Sequence, residues 1–118
     1  TCKGLVLMDT PTFDLTSTTA KVAAGCQLIV FTTGRGSTIA NPVAPVLKVT
    51  ANHETYERMK DNIDLDLSGP IELDYSLERQ AELTWADILT VIEGALTKSE
   101  VQRIGFCDVS ISRACDYA

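Results

Sequence analysis

The sequence predicts an α/β fold in three layers, with a mostly parallel sheet between flanking helices. Three observations carry that expectation. Two short runs, Gly4–Met8 and Gln27–Thr32, are apolar almost throughout, as strands covered on both faces are. A third, Val46–Thr50, is rich in β-branched positions. A helical pattern lies between the first two, and strand–helix–strand order builds βαβ units. The expected arrangement is Rossmann-like, and its edge can also take an antiparallel strand. The 118 residues suit a single domain spanning 1–118.

The elements follow in order. Gly4–Met8 ends in the turn residues Asp9, Thr10 and Pro11. Asp14 or Thr16 can cap a helix over Leu15–Ala24, with Gly25 as its left-handed stop. After the strand Gln27–Thr32, Pro42 and Pro45 keep the chain extended up to Val46–Thr50. Asn52 caps a short helix over Glu54–Asp61. Ile63–Leu67 alternates strictly and reads as a half-exposed edge strand. Ser68-Gly69-Pro70 reads as a turn, and Ile71–Asp74 as a short extended piece. Ser76 opens the clearest helix, which runs to about Glu93 with Ala81, Trp85, Ile88, Leu89 and Ile92 on one apolar stripe. Thr97 and Glu100 have capping-box spacing and start a last helix reaching about Ile104. Beyond it, Cys107–Ser112 alternates like an exposed strand or an extended tail.

The net charge of −6 argues against a nucleic-acid partner. No apolar run is long enough to span a membrane, and the N-terminus shows no apolar signal region. The expected setting is cytoplasmic. Cys2, Cys26, Cys107 and Cys115 form no CxxC pair and lie far in sequence from the single His53. They read as reduced, mostly buried thiols rather than zinc ligands or a disulfide framework. The charge is unevenly spread. No Asp or Glu occurs from Leu15 to His53, where Lys21, Arg35 and Lys48 stand, whereas residues 54–118 carry a net −8.

That basic segment holds the stretch most suited to a ligand, Phe31-Thr32-Thr33-Gly34-Arg35-Gly36-Ser37-Thr38. Two glycines around one arginine permit a turn that presents backbone N–H groups and a guanidinium together. A carboxylate or phosphate needs such donors. In open parallel sheets, ligands bind beyond the carboxyl ends of the strands. Three predicted strand ends carry polar groups there: Asp9-Thr10, Thr33–Thr38 and Thr50–Asn52. The candidate substrate-binding residues are therefore Asp9, Thr32, Thr33, Gly34, Arg35, Gly36, Ser37, Lys48 and Asn52, although a helix cap alone also accounts for Asn52. Other motifs fail. There is no Walker A, the third glycine of a dinucleotide fingerprint is replaced by Ile39, and one histidine at a helix start gives no Ser-His-Asp set. Asp64 and Asp66 point one way on an alternating strand and suit a metal or, more simply, a solvated face.

Several motifs occur together and in order: Gly4–Pro11 (GLVLMDTP), Ala24-Gly25, Phe31–Gly36 (FTTGRG), Pro45–Thr50 (PVLKVT), Asn52 and Asp61–Asp64 (DNID). As a set they resemble the C-terminal part of the altronate dehydratase and galactarate dehydratase family, to which sulfolactate sulfo-lyase is related. Ser37-Thr38-Ile39 departs from the Thr-Pro more usual after the loop. The resemblance implies a hydro-lyase that converts a dihydroxy sugar acid to a 2-keto-3-deoxy acid with a divalent metal, iron or manganese. It also implies a longer enzyme, of which this chain is one domain or separately encoded piece. No general base or metal-ligand cluster is evident in the chain, so the catalytic residues stay unknown and the domain is not expected to be a complete catalyst or to bind the metal alone. Expected partners are a sugar acid, the remaining domains or subunits of the dehydratase, and a second copy in a homo-oligomer. Two other readings stand beside this one: a non-catalytic interdomain or oligomerisation domain, and a phosphate- or nucleotide-binding module.

Overall fold

The computed structural model describes residues 3–10, 12–73 and 76–106. Three strands, β1 (Ile29–Thr32), β2 (Val46–Thr50) and β3 (Leu65–Asp66), form one sheet in the order β1-β2-β3. Both pairings are parallel, with Ile29 opposite Val46, Val49 opposite Leu65 and Thr50 opposite Asp66. The helices are α1 (Asp14–Ala23), α2 (His53–Arg58), α3 (Gly69–Glu72), α4 (Leu77–Ile92) and α5 (Lys98–Val101). The parallel α/β architecture read from the sequence is thus present. Among the described residues no antiparallel edge strand occurs: a crossover through α2 returns the chain in the same direction, so β3 runs parallel to β2.

The central strand β2 is buried at all five positions. Ile29, Ile39 and Val46 form a core cluster against which Leu15, Val22 and Phe31 pack, so α1 covers this part of the sheet. Gly25 follows α1 with φ +107°, the left-handed stop its position required. Glu100 accepts hydrogen bonds from the Thr97 backbone N–H and hydroxyl, both at 2.8 Å, which fixes the start of α5.

Three local expectations are corrected. Gly4–Met8 is no buried strand: it pairs with nothing in the sheet, and Leu5 is 93% and Leu7 89% exposed. An apolar run becomes a strand only where a neighbour accepts its backbone hydrogen bonds. Residues 71–72 are helical rather than extended, because Pro70 falls at the first turn of α3, where its missing N–H costs nothing. α4 carries its apolar stripe without a cover among the described residues: no residue of the helix is buried, and Trp85 is 58% exposed. Cys26 is exposed rather than buried, since it lies just past the end of α1. Cys2, Cys107 and Cys115, and the strand or tail over Cys107–Ser112, lie outside the described residues. Among the described residues, no helix is long and apolar enough to cross a membrane.

Lys48 occupies the middle of β2 and is 1% exposed. Its ammonium donates to the Ile39 carbonyl at 3.0 Å and to Ser99 Oγ. Burial pushes the amine below the usual lysine range; the charge of Asp64 opposes this and Lys98 adds to it. The unfolded chain therefore holds this proton more tightly than the folded one. Linkage then makes stability rise with pH between the lowered folded value and 10.5. Urea titrations across that window should show this rise in the wild type, and Lys48→Met should lose it.

Candidate functional site

The carboxyl ends of β1 and β2 open into a cleft of about 380 Å³. Thr32, Thr33 and Gly34 line it from β1 and the following loop; Val49, Thr50, Ala51 and Asn52 line it from β2; and Leu67 closes it beyond β3. Parallel pairing causes this convergence, because each strand ends on the same edge of the sheet.

The loop after β1 is fixed by its own hydroxyls and by α2. Thr33 Oγ1 accepts the Gly36 N–H at 3.0 Å. Thr55 Oγ1 donates to the Gly34 carbonyl at 2.9 Å, and Arg58 Nη2 donates to the Arg35 carbonyl at 3.1 Å. In a trans peptide the C=O and the next N–H point in opposite directions. Drawing the Gly34 carbonyl onto α2 therefore turns the Arg35 N–H away from it. Among the described residues, the Arg35 N–H and its guanidinium have no partner, and the side chain is exposed. Gly36 has φ +93°, and a Cβ there would lie 2.0 Å from Met59 Sδ. The loop thus requires glycine at this position for both backbone angle and space.

Asn52 has two roles. Its Oδ1 accepts the Thr55 N–H at 3.0 Å and caps α2, as local sequence allowed, and the residue also lines the cleft. The other candidates are distributed as follows. Thr32, Thr33 and Gly34 line the cleft; Arg35 and Gly36 continue the same loop; Ser37 Oγ accepts the Ile39 N–H at 3.2 Å. Lys48 lies in the interior, bonded to Ile39 and Ser99, and Asp9 is exposed on the segment that precedes α1. Sequence reasoning placed Thr50 at this strand-end edge without naming it among the binding candidates, and did not single out Leu67. The parallel register of β3 is what brings Leu67 to this edge.

Asp64 and Asp66 both have protein partners. Asp64 takes the Lys48 N–H on one oxygen and the Lys98 N–H on the other, each at 2.7 Å. Asp66 takes the Ser68 N–H at 2.9 Å and meets His53 Nδ1 at 2.6 Å. Burial alone would raise the Asp66 carboxyl, but the bonds from His53 and Ser68 outweigh it and hold it below the usual range. The bond to Asp66 raises the His53 imidazole, with Glu72 and Glu57 adding to the same effect. Among the described residues, no three His, Cys, Asp or Glu side chains converge on one point.

Fold and cleft together define a parallel α/β domain with a polar, glycine-containing loop at its strand-end edge. The family described as D-galactarate/altronate dehydratase, C-terminal, matches residues 1–115, and the chain belongs to that family. It is 32% identical over 97 residues to the beta subunit of (2R)-sulfolactate sulfo-lyase of Chromohalobacter salexigens, covering 82% of this chain and 25% of that protein. It is 45% identical over 64 residues to altronate dehydratase of Bacillus subtilis, covering 54% of this chain and 13% of the enzyme. Against galactarate dehydratase (L-threo-forming) of Escherichia coli the values are 36% over 66 residues, 56% and 13%. The chain thus spans a quarter or less of the length of these relatives.

Proposed function

We propose that this domain serves a sugar-acid hydro-lyase by holding the substrate carboxylate at the strand-end cleft. One observation carries the reading: α2 binds the loop carbonyls of Gly34 and Arg35, and among the described residues the Arg35 N–H and guanidinium have no partner, next to a cleft lined by threonines and Asn52. Forked guanidinium donors suit a carboxylate. The relatives named as altronate and galactarate dehydratases supply the substrate class. In this reading a divalent metal, iron or manganese, would be held by other parts of the enzyme and would supply charge stabilisation there.

Titrating galactarate and altronate into the labelled 118-residue chain tests this by NMR. The expected result is movement of the Thr33, Gly34, Arg35 and Asn52 amides at millimolar ligand. Arg35→Ala should weaken binding about tenfold, or about 1.4 kcal/mol. If no loop amide moves, the domain does not hold the acid; if phosphate moves them and sugar acids do not, the loop is a phosphate site.

A second reading, an interdomain packing role, is favoured by the exposed face of α4. Leu77, Trp85, Leu89 and Ile92 are all exposed, and a groove of about 380 Å³ between α3 and α4 is lined by Pro70, Leu77, Ala81, Trp85 and Ile88. Its occupant in this reading is the remainder of a dehydratase, since the relatives are at least four times the length matched here. Trp85→Lys should leave the unfolding free energy of the isolated chain within about 0.5 kcal/mol, as measured in urea, because the indole packs against little.

A further inference from the structure

The dehydratase reading lacks a base, and the structure brings together a pair that supplies one. Thr50 lies opposite Asp66 in the parallel register, and His53 follows Thr50 by one tight turn. The imidazole and carboxylate therefore meet although 13 positions separate them. Both adjoin cleft residues: His53 follows Asn52, and Asp66 precedes Leu67.

We propose that His53 and Asp66 form a proton-transfer dyad at the rim of the strand-end cleft, with His53 Nε2 accepting a proton from the carbon next to the bound carboxylate. This deepens the carboxylate-binding reading and rests on it.

Each half of the geometry has a consequence. The Asn52 cap fixes the first turn of α2, which carries His53. Ser68 N–H holds one Asp66 oxygen, so the other is fixed toward His53 Nδ1. An ionised carboxylate only accepts, so in the neutral ring the proton sits on Nδ1 and the lone pair on Nε2. The His53 side chain is 47% exposed, leaving the ring open to a ligand. Among the described residues, the charged groups acting on it are Asp66 at the end of β3, Glu57 on α2 and Glu72 on α3, all acidic. They favour the imidazolium that forms when the proton arrives. In the step served, Nε2 takes the C2 proton of a 2,3-dihydroxy acid, the C–H electron pair becomes the C2=C3 bond, and the C3 hydroxyl departs with the proton returned by the imidazolium. Water and an enol result, and the ring is regenerated neutral.

His53 is the only histidine, so one imidazole signal reports on the proposal. The experiment follows the ¹⁵N imidazole of the 118-residue chain across pH 5–9 with and without galactarate. Expected are a neutral form protonated on Nδ1, a titration midpoint raised by about 0.3 pH unit or more when the cleft is occupied, and a nuclear Overhauser contact from the ring to the ligand C2 proton. Asp66→Asn should lower the midpoint and erase the tautomer preference. Calorimetry in two buffers gives a second readout that needs no Asp66 variant: the wild type takes up protons on binding galactarate near the midpoint, and His53→Gln takes up none. If the Thr33 and Asn52 amides saturate while the imidazole is unchanged, the dyad does not serve the cleft and carboxylate binding stands. If no amide moves, carboxylate binding falls and the dyad proposal falls with it.

Discussion

Replacing Gly36 by alanine lowers the unfolding free energy by about 2–5 kcal/mol, measured by urea denaturation. Two costs add. A residue with a Cβ held at φ +93° loses about 1–2 kcal/mol of backbone energy. The new methyl also meets Met59 Sδ at 2.0 Å, with Met59 Cε at 3.2 Å and Thr55 Cγ2 at 3.4 Å, an overpacking worth about 1–3 kcal/mol. The sulfur is part of a flexible side chain, so the second cost can be separated from the first. In a Met59→Ala background, Gly36→Ala should still cost about 1–2 kcal/mol, the backbone share alone. Equal costs in both backgrounds would show that Met59 plays no part. Because the Gly36 N–H is bonded to Thr33 Oγ1, the same substitution should disturb the Thr33 amide.

Asp64→Ala is the second large effect, a loss of about 3–6 kcal/mol. The carboxylate accepts two backbone N–H groups from distant segments, one in the fully buried strand β2 and one in the first turn of α5. Bonds to a charged acceptor are worth about 1.5–3 kcal/mol each, and alanine leaves both donors without it. Asp64→Asn should recover less than half of the loss, because its amide nitrogen is a donor facing a donor. Thermal and urea denaturation of the two variants checks the ranking. Full recovery by asparagine would mean that only one of the two bonds matters.

These two residues show what the sequence could and could not disclose. Gly36 was legible: a glycine pair around an arginine after a β-branched run signals a turn that needs unusual backbone angles. The cap at Asn52, the stop at Gly25 and the bounds of β2 and α4 were legible for the same reason, since each depends on near neighbours in the chain. Asp64 was not. On an alternating stretch it looks like a solvated acid, and its actual partners stand 16 and 34 positions away. The meeting of His53 with Asp66 was hidden likewise, because it needs the parallel register of a two-residue strand. Lys48 read as a candidate ligand group because charge on a strand suggests use; its partners Ile39 and Ser99 come from a loop and a helix placed by tertiary packing. Gly4–Met8 reads as a buried strand because hydrophobicity says that a surface seeks cover, not which surface supplies it.

The bonds that anchor α5 also bear on the order in which the molecule assembles. Asp64 reaches Lys98 across 34 positions and Lys48 reaches Ser99 across 51, so both closures come at the entropic cost of a long loop. Contacts of that kind tend to form after the nucleus of nearer pairings has condensed. β1, β2 and α2 are the nearer set. The clasp on α5 is then a late-closing latch, whose loss accelerates the opening of the native state while leaving the speed of its formation almost unchanged. Stopped-flow chevrons of Asp64→Ala should show the change in the unfolding arm, and the domain's lifetime, more than its rate of birth, is what that one carboxylate sets.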